Sequence, residues 1–342
     1  LQADMMIVAR AAIDDDTCVF AAYFFNAPDE SYERYSRFYR YGGGRWVCAE
    51  VSARIVAMMP YREPAWSAGG LAVLGEEGEL WFLGEQGYQT RVDLADVSLL
   101  SVMKMFDSKL VVAGHHGQIY RRDDDGWRHD DDGLLNVVPL LPRPRPCDQG
   151  SDFNMTDLVV TPESGDAYCC GTLHVARPAL FWRPRGEAWS WLGLDPKNPA
   201  FDHLSLNGMF AEDSNTIWIS TDQGYLLRGN GRDGFAVVNH PICDEYGSPI
   251  IFSNIVEFDA DLFVGGSTVC RILADGKLEP QQGPAYARMG DPQANTTVVE
   301  GRLGCAGGKL WAFGEGMLSR FDGSTWARIE MPTIYKNNQR YD

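Results

Sequence analysis

Short apolar runs that close on glycine recur along the chain, each followed by a polar turn and a second run in which apolar and polar residues alternate. Setting LAVLGEEGELWFLGEQGYQTRV (71–92) over LVVAGHHGQIYRRDDDGWRHDD (110–131) aligns the apolar positions, the glycine after four residues and the later glycine-aromatic pair without a gap. The same frame recovers IWISTDQGYLLRGNGRDGFAVV from 217, LFVGGSTVCRILADGKLEP from 262 and LWAFGEGMLSRFDGSTWARI from 310. Two looser copies bring the total to seven: AYCCGTLHVARPALFWRPRGEAWSWLGL from 167, and CVFAAYFF with YSRFYRYGGGRWVCAEV from 18, the latter with an insertion between its strands.

The copies start at 18, 71, 110, 167, 217, 262 and 310, a spacing of 39 to 57 residues. A period of that length belongs to a propeller or a solenoid. In the third copy VSLLSVMKMF is predicted as the innermost strand, KLVVAGHH as the second, QIYRR as the third and WRHDD as the outermost, with DDDG as the turn between the last two. Period-two alternation runs through all four, and a helical period does not. Four strands per copy suit a ring of twisted sheets, whereas a solenoid needs tighter regularity and polar caps. The sequence therefore predicts an all-β chain, a seven-bladed β-propeller of four-stranded antiparallel blades in a single domain, with blades near 5–52, 53–94, 97–133, 153–194, 204–240, 250–281 and 296–332. The first copy has its own inner strand (MMIVARAAI) and the last its own outer strand (WARIEMP), so closure is expected without strand exchange between the termini.

NTIWISTDQGYLLRGNGRDGF (215–235) and KLWAFGEGMLSRFDGSTWARI (309–329) resemble the regulator-propeller repeats of bacterial sensor proteins. The resemblance implies the fold and not a sensing role, because no kinase, membrane or signalling segment accompanies it. The Gly-His and Trp-Asp signatures of WD40 repeats are missing.

Composition narrows the function classes. Asp and Glu number 47 against 30 Lys and Arg, a formal charge of -17, and such a field repels phosphate backbones and anionic headgroups. Nucleic acid is not the expected partner, and no apolar run is long enough for membrane insertion as a helix. The eight cysteines show no C-x-x-C pair, which argues against structural zinc, and several sit in apolar strands as buried free thiols do. The expected location is the cytoplasm, with a secreted or periplasmic site if a leader has been removed. Arginine outnumbers lysine, 24 to 6, the usage expected of a GC-rich bacterial genome.

Loop length carries the remaining signal. In a propeller, the connections from second to third strand and from outer strand to the next blade open on one face. On that face fall residues 26–34, 131–150, 195–203, 240–249 and 279–295, while only 61–69 is long on the other. Long ordered loops on a rigid scaffold are where recognition resides. The partner-binding candidates are His116, Arg143, Arg145, Asp202, His203, Asp244, Glu245, Tyr246, Tyr286 and Arg288. Trp66, Tyr246 and Tyr286 lie outside the repeat frame, as interface anchors would. Trp46, Tyr88, Trp127, Trp189, Phe235 and Trp326 instead recur at the head of the outer strand, where one packing task repeated per blade accounts for them.

Catalytic motifs are absent: there is no G-x-S-x-G, H-E-x-x-H, Walker loop or strand-helix G-x-G-x-x-G. If the chain is an enzyme, Glu76, Glu77, His115 and Asp222 at the expected channel mouth are the candidates for carboxylate or histidine chemistry. His115 and His116 are expected to project to opposite sides and not to share a metal; the aspartate runs 14–16, 123–125 and 130–132 lack EF-hand spacing and read as solvated turn chemistry. No cofactor or metal is expected. The reading is a non-enzymatic protein-binding propeller with a partner of basic surface, in its sharpest form a bacterial immunity-type inhibitor of a toxin or secreted effector. A propeller hydrolase or lyase and a glycan-binding propeller are the alternatives.

Overall fold

In the computed structural model, residues 4–25, 36–62, 69–84, 87–94, 97, 99–131, 134, 153–173, 177–194, 204–244, 246–288, 291–314 and 317–331 are described. Their elements are thirty strands. The seven four-stranded sheets are, in chain order, β1–β4 (Asp4–Ala12, Cys18–Phe25, Ser36–Gly42, Arg45–Val51), β5–β8 (Ile55–Tyr61, Gly70–Gly75, Glu79–Leu83, Tyr88–Arg91) and β9–β12 (Leu100–Phe106, Lys109–Gly114, Ile119–Asp123, Gly126–His129). These are followed by β13–β16 (Phe153–Val160, Ala167–Leu173, Arg177–Arg183, Ser190–Trp191) and β17–β20 (Leu206–Ala211, Ile217–Thr221, Leu226–Asn230, Gly234–Val237). The last two are β21–β24 (Phe252–Phe258, Asp261–Gly266, Cys270–Ile272, Leu278–Pro280) and β27–β30 (Arg302–Ala306, Lys309–Gly314, Met317–Phe321, Trp326–Ile329). Each is a meander of neighbours, so the fold is the all-β, seven-bladed propeller that the repeats predict.

One element departs from the expected layout. Residues 279–295, read as a long loop, contain most of an extra hairpin, β25 (Gln282–Arg288) with β26 (Asp291–Val298). Gly283, Pro284 and Pro292 hide the strand pattern, and a two-stranded ribbon with free edges tolerates prolines that a central strand does not. The seventh sheet accordingly begins at Arg302.

The chain forms two compact units, Leu1–Arg91 with Val256–Ile272 and Glu279–Asp342, and Val92–Ile255 with Leu273–Leu278. In the second unit a repeated device joins successive blades. The pairing of inner with second strand skips one residue, a β-bulge, at Ser101, Thr156 and Asn207. Each bulged side chain donates to a carbonyl of the next inner strand: Ser101 Oγ to Met155 O (2.7 Å), Thr156 Oγ1 to Leu206 O (2.5 Å) and Asn207 Nδ2 to Phe252 O (2.7 Å). Each accepting carbonyl lies where the next bulge begins or would begin, so one register propagates along four inner strands. Asp157 strengthens the same joints: its carboxylate accepts the Met209 amide (2.8 Å) on β17 and pairs with Lys104 Nζ (2.8 Å) on β9.

The bulge also explains the repeated glycine. A Cβ on Gly114 or Gly171, at or near the end of the second strand, would stand 2.1 Å from Leu99 O, just ahead of β9, or from Asn154 O on β13. Only glycine permits that approach.

The first unit holds the joint between first and last blades. The strands of each come from one stretch of chain, so no strand is exchanged. Trp46 Nε1 donates to Glu330 O (2.9 Å), and Arg320 donates to Asp15 O (3.0 Å) and Asp16 Oδ1 (2.7 Å). Beneath them Phe20, Tyr39, Trp311, Phe313, Leu318 and Ile329 form one apolar cluster.

The two kinds of joint predict different losses. Asp157→Ala leaves the buried Met209 amide without its acceptor, while Lys104, 42% exposed, is free to hydrate; the substitution should lower unfolding free energy by about 2 kcal/mol. Thr156→Val removes the hydroxyl that donates to Leu206 O and also lies 3.2 Å from Cys170 O, a neutral interaction worth about 1 kcal/mol. Guanidinium titrations of the two variants, followed by tryptophan fluorescence, check the ranking.

Candidate functional site

Antiparallel order within each blade brings the second-to-third connection and the exit from the outer strand to the same end. In the second unit this end carries His115, His116, Asp222, Asp244 and Tyr246. Their surroundings separate scaffold from surface.

Asp222 is scaffold. Its Oδ1 accepts the Ser205 amide (2.8 Å) while its own amide donates to Ser205 O (3.2 Å), fixing the entry into β17. His115 is tied through its backbone, whose amide donates to Leu99 O (2.9 Å) and which bridges to Asn154 on β13. His116 is not on a strand, as expected, but in a turn with φ of 61°; the two imidazoles are 6.4 Å apart and nearly perpendicular. Among the described residues, no three His, Cys, Asp or Glu side chains gather closely enough to hold a metal ion.

The 239–251 connection differs in kind. Asn239 anchors its base, accepting the Leu226 amide (2.6 Å) and donating to Gly224 O (2.9 Å) and His240 O (2.7 Å). Asp244 Oδ1 accepts the amides of Tyr246 and Ser248, both at 2.9 Å, and Gly247 takes the left-handed conformation at φ of 80°. Cys243 bridges to Pro249, and the Ile250 amide donates to Ile242 O (3.0 Å), so the loop is a short hairpin. Its side-chain hydrogen bonds turn inward, and Tyr246 is left 81% exposed at the tip with Ile251 at 49% nearby. Asp244 therefore shapes this surface through Oδ1 while its side chain stays exposed.

In the first unit, Glu76 is engaged by Arg54 Nη1 (2.8 Å), and Arg54 in turn lies 5.4 Å over the Tyr23 ring. Tyr23 Oη donates to Ile55 O (2.8 Å), so this cluster ties β2 to the start of β5. Glu77 is exposed, with Arg91 donating to its backbone carbonyl (2.9 Å). Arg143, Arg145, Asp202, His203, Glu245 and Trp66 lie outside the described residues, and only the backbone of Tyr286 and Arg288 is described, on β25.

The aspartate runs are not uniformly solvated charge. Asp130 and Asp131 are buried, contrary to that expectation: Asp130 meets Arg183 at 3.3 Å and Arg121 at 3.8 Å, and Asp131 meets His129 Nδ1 at 3.0 Å. Arg183 also stacks 4.9 Å over Trp189 and 5.7 Å over Phe106, so the pair fills the joint between the third and fourth blades. Asp123–Asp125 do form the hairpin turn, with Gly126 at φ of 122°. Asp14 and Asp16 cap theirs, Asp14 Oδ1 accepting the Asp16 amide and Asp16 Oδ2 the Gly43 amide.

The aromatics at the outer-strand heads pack within their own blade or against the neighbouring one. Trp189 and Trp326 are buried, Phe235 lies against Tyr168, and Tyr88 stacks on Phe82 at 4.8 Å. The seven described cysteines are free thiols. Burial pushes Cys18 and Cys270 up to about 12 and raises Cys169 and Cys170 further, so these four are held as thiols with little nucleophilic character.

No protein-family model matches the chain, and no curated protein matches it. Solved structures do. YCF48 from Cyanidioschyzon merolae superposes with a TM-score of 0.58 at 12% identity, covering 94% of this chain and 96% of that one. A structure described as YCF48 bound to D1 peptide gives 0.58 at 12% identity, covering 98% and 94%. The WD40 propeller domain of Doa1 gives 0.56 at 12% identity, with 93% of each chain covered. These likenesses establish a β-propeller at the level of the fold.

Two outcomes follow for the native protein. Iodoacetamide at neutral pH should alkylate Cys48, Cys243 and Cys305 and spare Cys18, Cys169, Cys170 and Cys270 until denaturant is added, as peptide mass mapping will show. The Arg320 guanidinium and then the Gly43 amide hold the Asp16 carboxyl below its ordinary value of 3.8. A lowered folded-state value stabilises above the unfolded value and loses that contribution as pH falls through the folded one. Asp16→Asn should therefore flatten the acid limb of a melting-temperature profile and leave it parallel to the parent above pH of about 5.

Proposed function

We propose that this chain is a non-enzymatic protein-binding propeller that grips a partner through its long connections. The observation that carries the reading is the 239–251 hairpin. Asn239 and Asp244 spend their side chains on its backbone, and Tyr246 stands out from it at 81% exposure. An aromatic on a backbone that is already ordered supplies contact area at low entropic cost, as interface anchors do. The formal charge of -17 favours a partner with a basic surface, chiefly by speeding encounter. One structural neighbour carries a bound peptide by its description, which supports the use of such a fold for protein recognition.

The sharpest form of this reading is an immunity-type protein that blocks a toxin or secreted effector, acting in the cytoplasm of a bacterium, where the free thiols fit a reducing compartment. Of the candidates for enzymatic chemistry, Glu76 and Asp222 are committed to Arg54 and to the Ser205 amide, which gives the binding reading precedence.

The test uses the tagged protein as bait in its native lysate at low and moderate salt, beside a Tyr246→Ala variant of unchanged melting temperature. A single basic protein recovered in stoichiometric amount, salt-sensitive in its retention and held at least about tenfold less tightly by the variant, is the expected result. Equal retention by the variant overturns the role of the 239–251 loop. Recovery of no partner where the neighbouring genes are expressed overturns the scaffold reading.

A further inference from the structure

The outer strands of a propeller blade are sheet edges, and six of the seven here are short. β8, β12, β20 and β30 have four residues each, β24 three and β16 two. Short edges are a common defence against unwanted strand pairing. β4, the outer strand of the first blade, breaks the pattern with seven residues, RWVCAEV, five of them exposed. Among the described residues it pairs only with β3, so its outer row of amides and carbonyls has no strand beside it.

The side chains give this edge a chemical character. The β3–β4 register places Arg40 opposite Val47 and Arg45 opposite Gly42, with Phe38 opposite Ala49. One face of the ribbon thus presents Arg45, Val47 and Ala49 along the edge with Arg40 behind Val47. Val47 is 60% exposed, and Arg40 and Arg45 are exposed and pair with no carboxylate among the described residues. On the opposite face Glu50 is taken by Arg37 at 3.3 Å. Residues 36–51 carry three arginines against one glutamate, in a chain whose formal charge is -17.

We propose that β4 is a docking edge for an extended acidic segment of a partner protein, which adds to the first blade as a fifth antiparallel strand. Backbone pairing to the β4 edge supplies the affinity, and side chains at alternate positions supply the selectivity. An apolar residue set against Val47 and a carboxylate two positions away set against Arg45 match what this face offers. At physiological salt the Debye length is about 8 Å, so these local arginines and not the distant net charge decide what docks here. A second copy of the chain pairing edge to edge fits poorly, because its β4 sets arginines against arginines and brings no carboxylate surplus. This inference goes beyond the binding reading above and does not use the 239–251 loop.

The probe is a fluorescein-labelled nine-residue peptide in which valine and glutamate alternate along one face with threonine at every position between them, titrated with the intact protein and followed by anisotropy. It should bind, while a lysine-for-glutamate peptide binds at least about tenfold more weakly. A peptide of the same sequence that is N-methylated at every residue should lose binding, because it keeps the charge but has no backbone N–H to donate to a strand edge. Hydrogen exchange should slow at residues 45–51 when the unmodified peptide is present. Arg45→Glu and Val47→Glu, both exposed and each checked for an unchanged melting temperature, should weaken binding by about tenfold, and Tyr246→Ala should leave it unchanged. Absence of binding, equal binding of the N-methylated peptide, or protection confined to other strands overturns the proposal. So does concentration-dependent self-association that Val47→Lys abolishes, which would make a second copy the occupant.

Discussion

The inner-strand bulge is the constraint on which the second unit depends. By skipping one residue, it turns Ser101, Thr156 and Asn207 out of the ladder, so that each reaches a carbonyl on the inner strand of the following blade. The same skip presses an inner-strand carbonyl onto the end of the second strand, and glycine at 114 and 171 is the accommodation. A single local irregularity thus does two things at once. It sets blade-to-blade spacing by hydrogen bonds, and it selects glycine at 114 and 171, whereas β18 meets the Asn207 bulge with Ser220 and Thr221. In the first unit the bulges fall at Val8 and Val56, which have nothing to donate, and other contacts hold the blades. There Tyr23 and Ser36 reach the start of β5, and the closing joint relies on Trp46, Arg320 and an aromatic cluster.

Charge follows the same division between joint and surface. Asp157 and Asp130 are drawn into joints, where Lys104 and Arg183 meet them together with backbone amides or carbonyls. Burial of such groups is tolerable only when they are fully paired, and each joint meets that requirement with more than one partner. Asp244 and Asp222 form the loop ends on the candidate surface by binding backbone amides. On the proposed readings, the surfaces offered for recognition are an exposed tyrosine on a braced hairpin in one unit and a basic strand edge in the other.

The fold was legible because propeller blades repeat, and repetition makes a weak signal accumulate. The apolar four-residue run and its glycine were visible in five copies at once, and the strands of the third blade lie where the alternation puts them. The bulge was not legible. Ser101, Thr156 and Asn207 read as ordinary polar positions on inner strands, and nothing in their identity says that they leave the ladder. Their recurrence one residue before or after a matched apolar position was the available clue. The β25–β26 hairpin was missed because its prolines and glycine imitate a loop, and Asp130 because a run of three aspartates followed by glycine imitates a turn.

Candidate residues were harder still, since proximity to a channel mouth does not distinguish a side chain that faces solvent from one that holds the frame. Glu76 and Asp222 follow second strands in the repeat, and the structure gives each an ion-pair or backbone partner next to an entering strand. Tyr246 was distinguishable because it sits outside the repeat, where no packing task recurs to explain it. β4 was hidden for the opposite reason. Its residues lie inside the repeat, and only comparison of outer-strand lengths, seven against two to four, separates an edge open to a partner from edges too short to offer one. Exposure of a group in a repeat protein is thus most informative where one copy departs from the others, because the remaining copies define what packing alone requires.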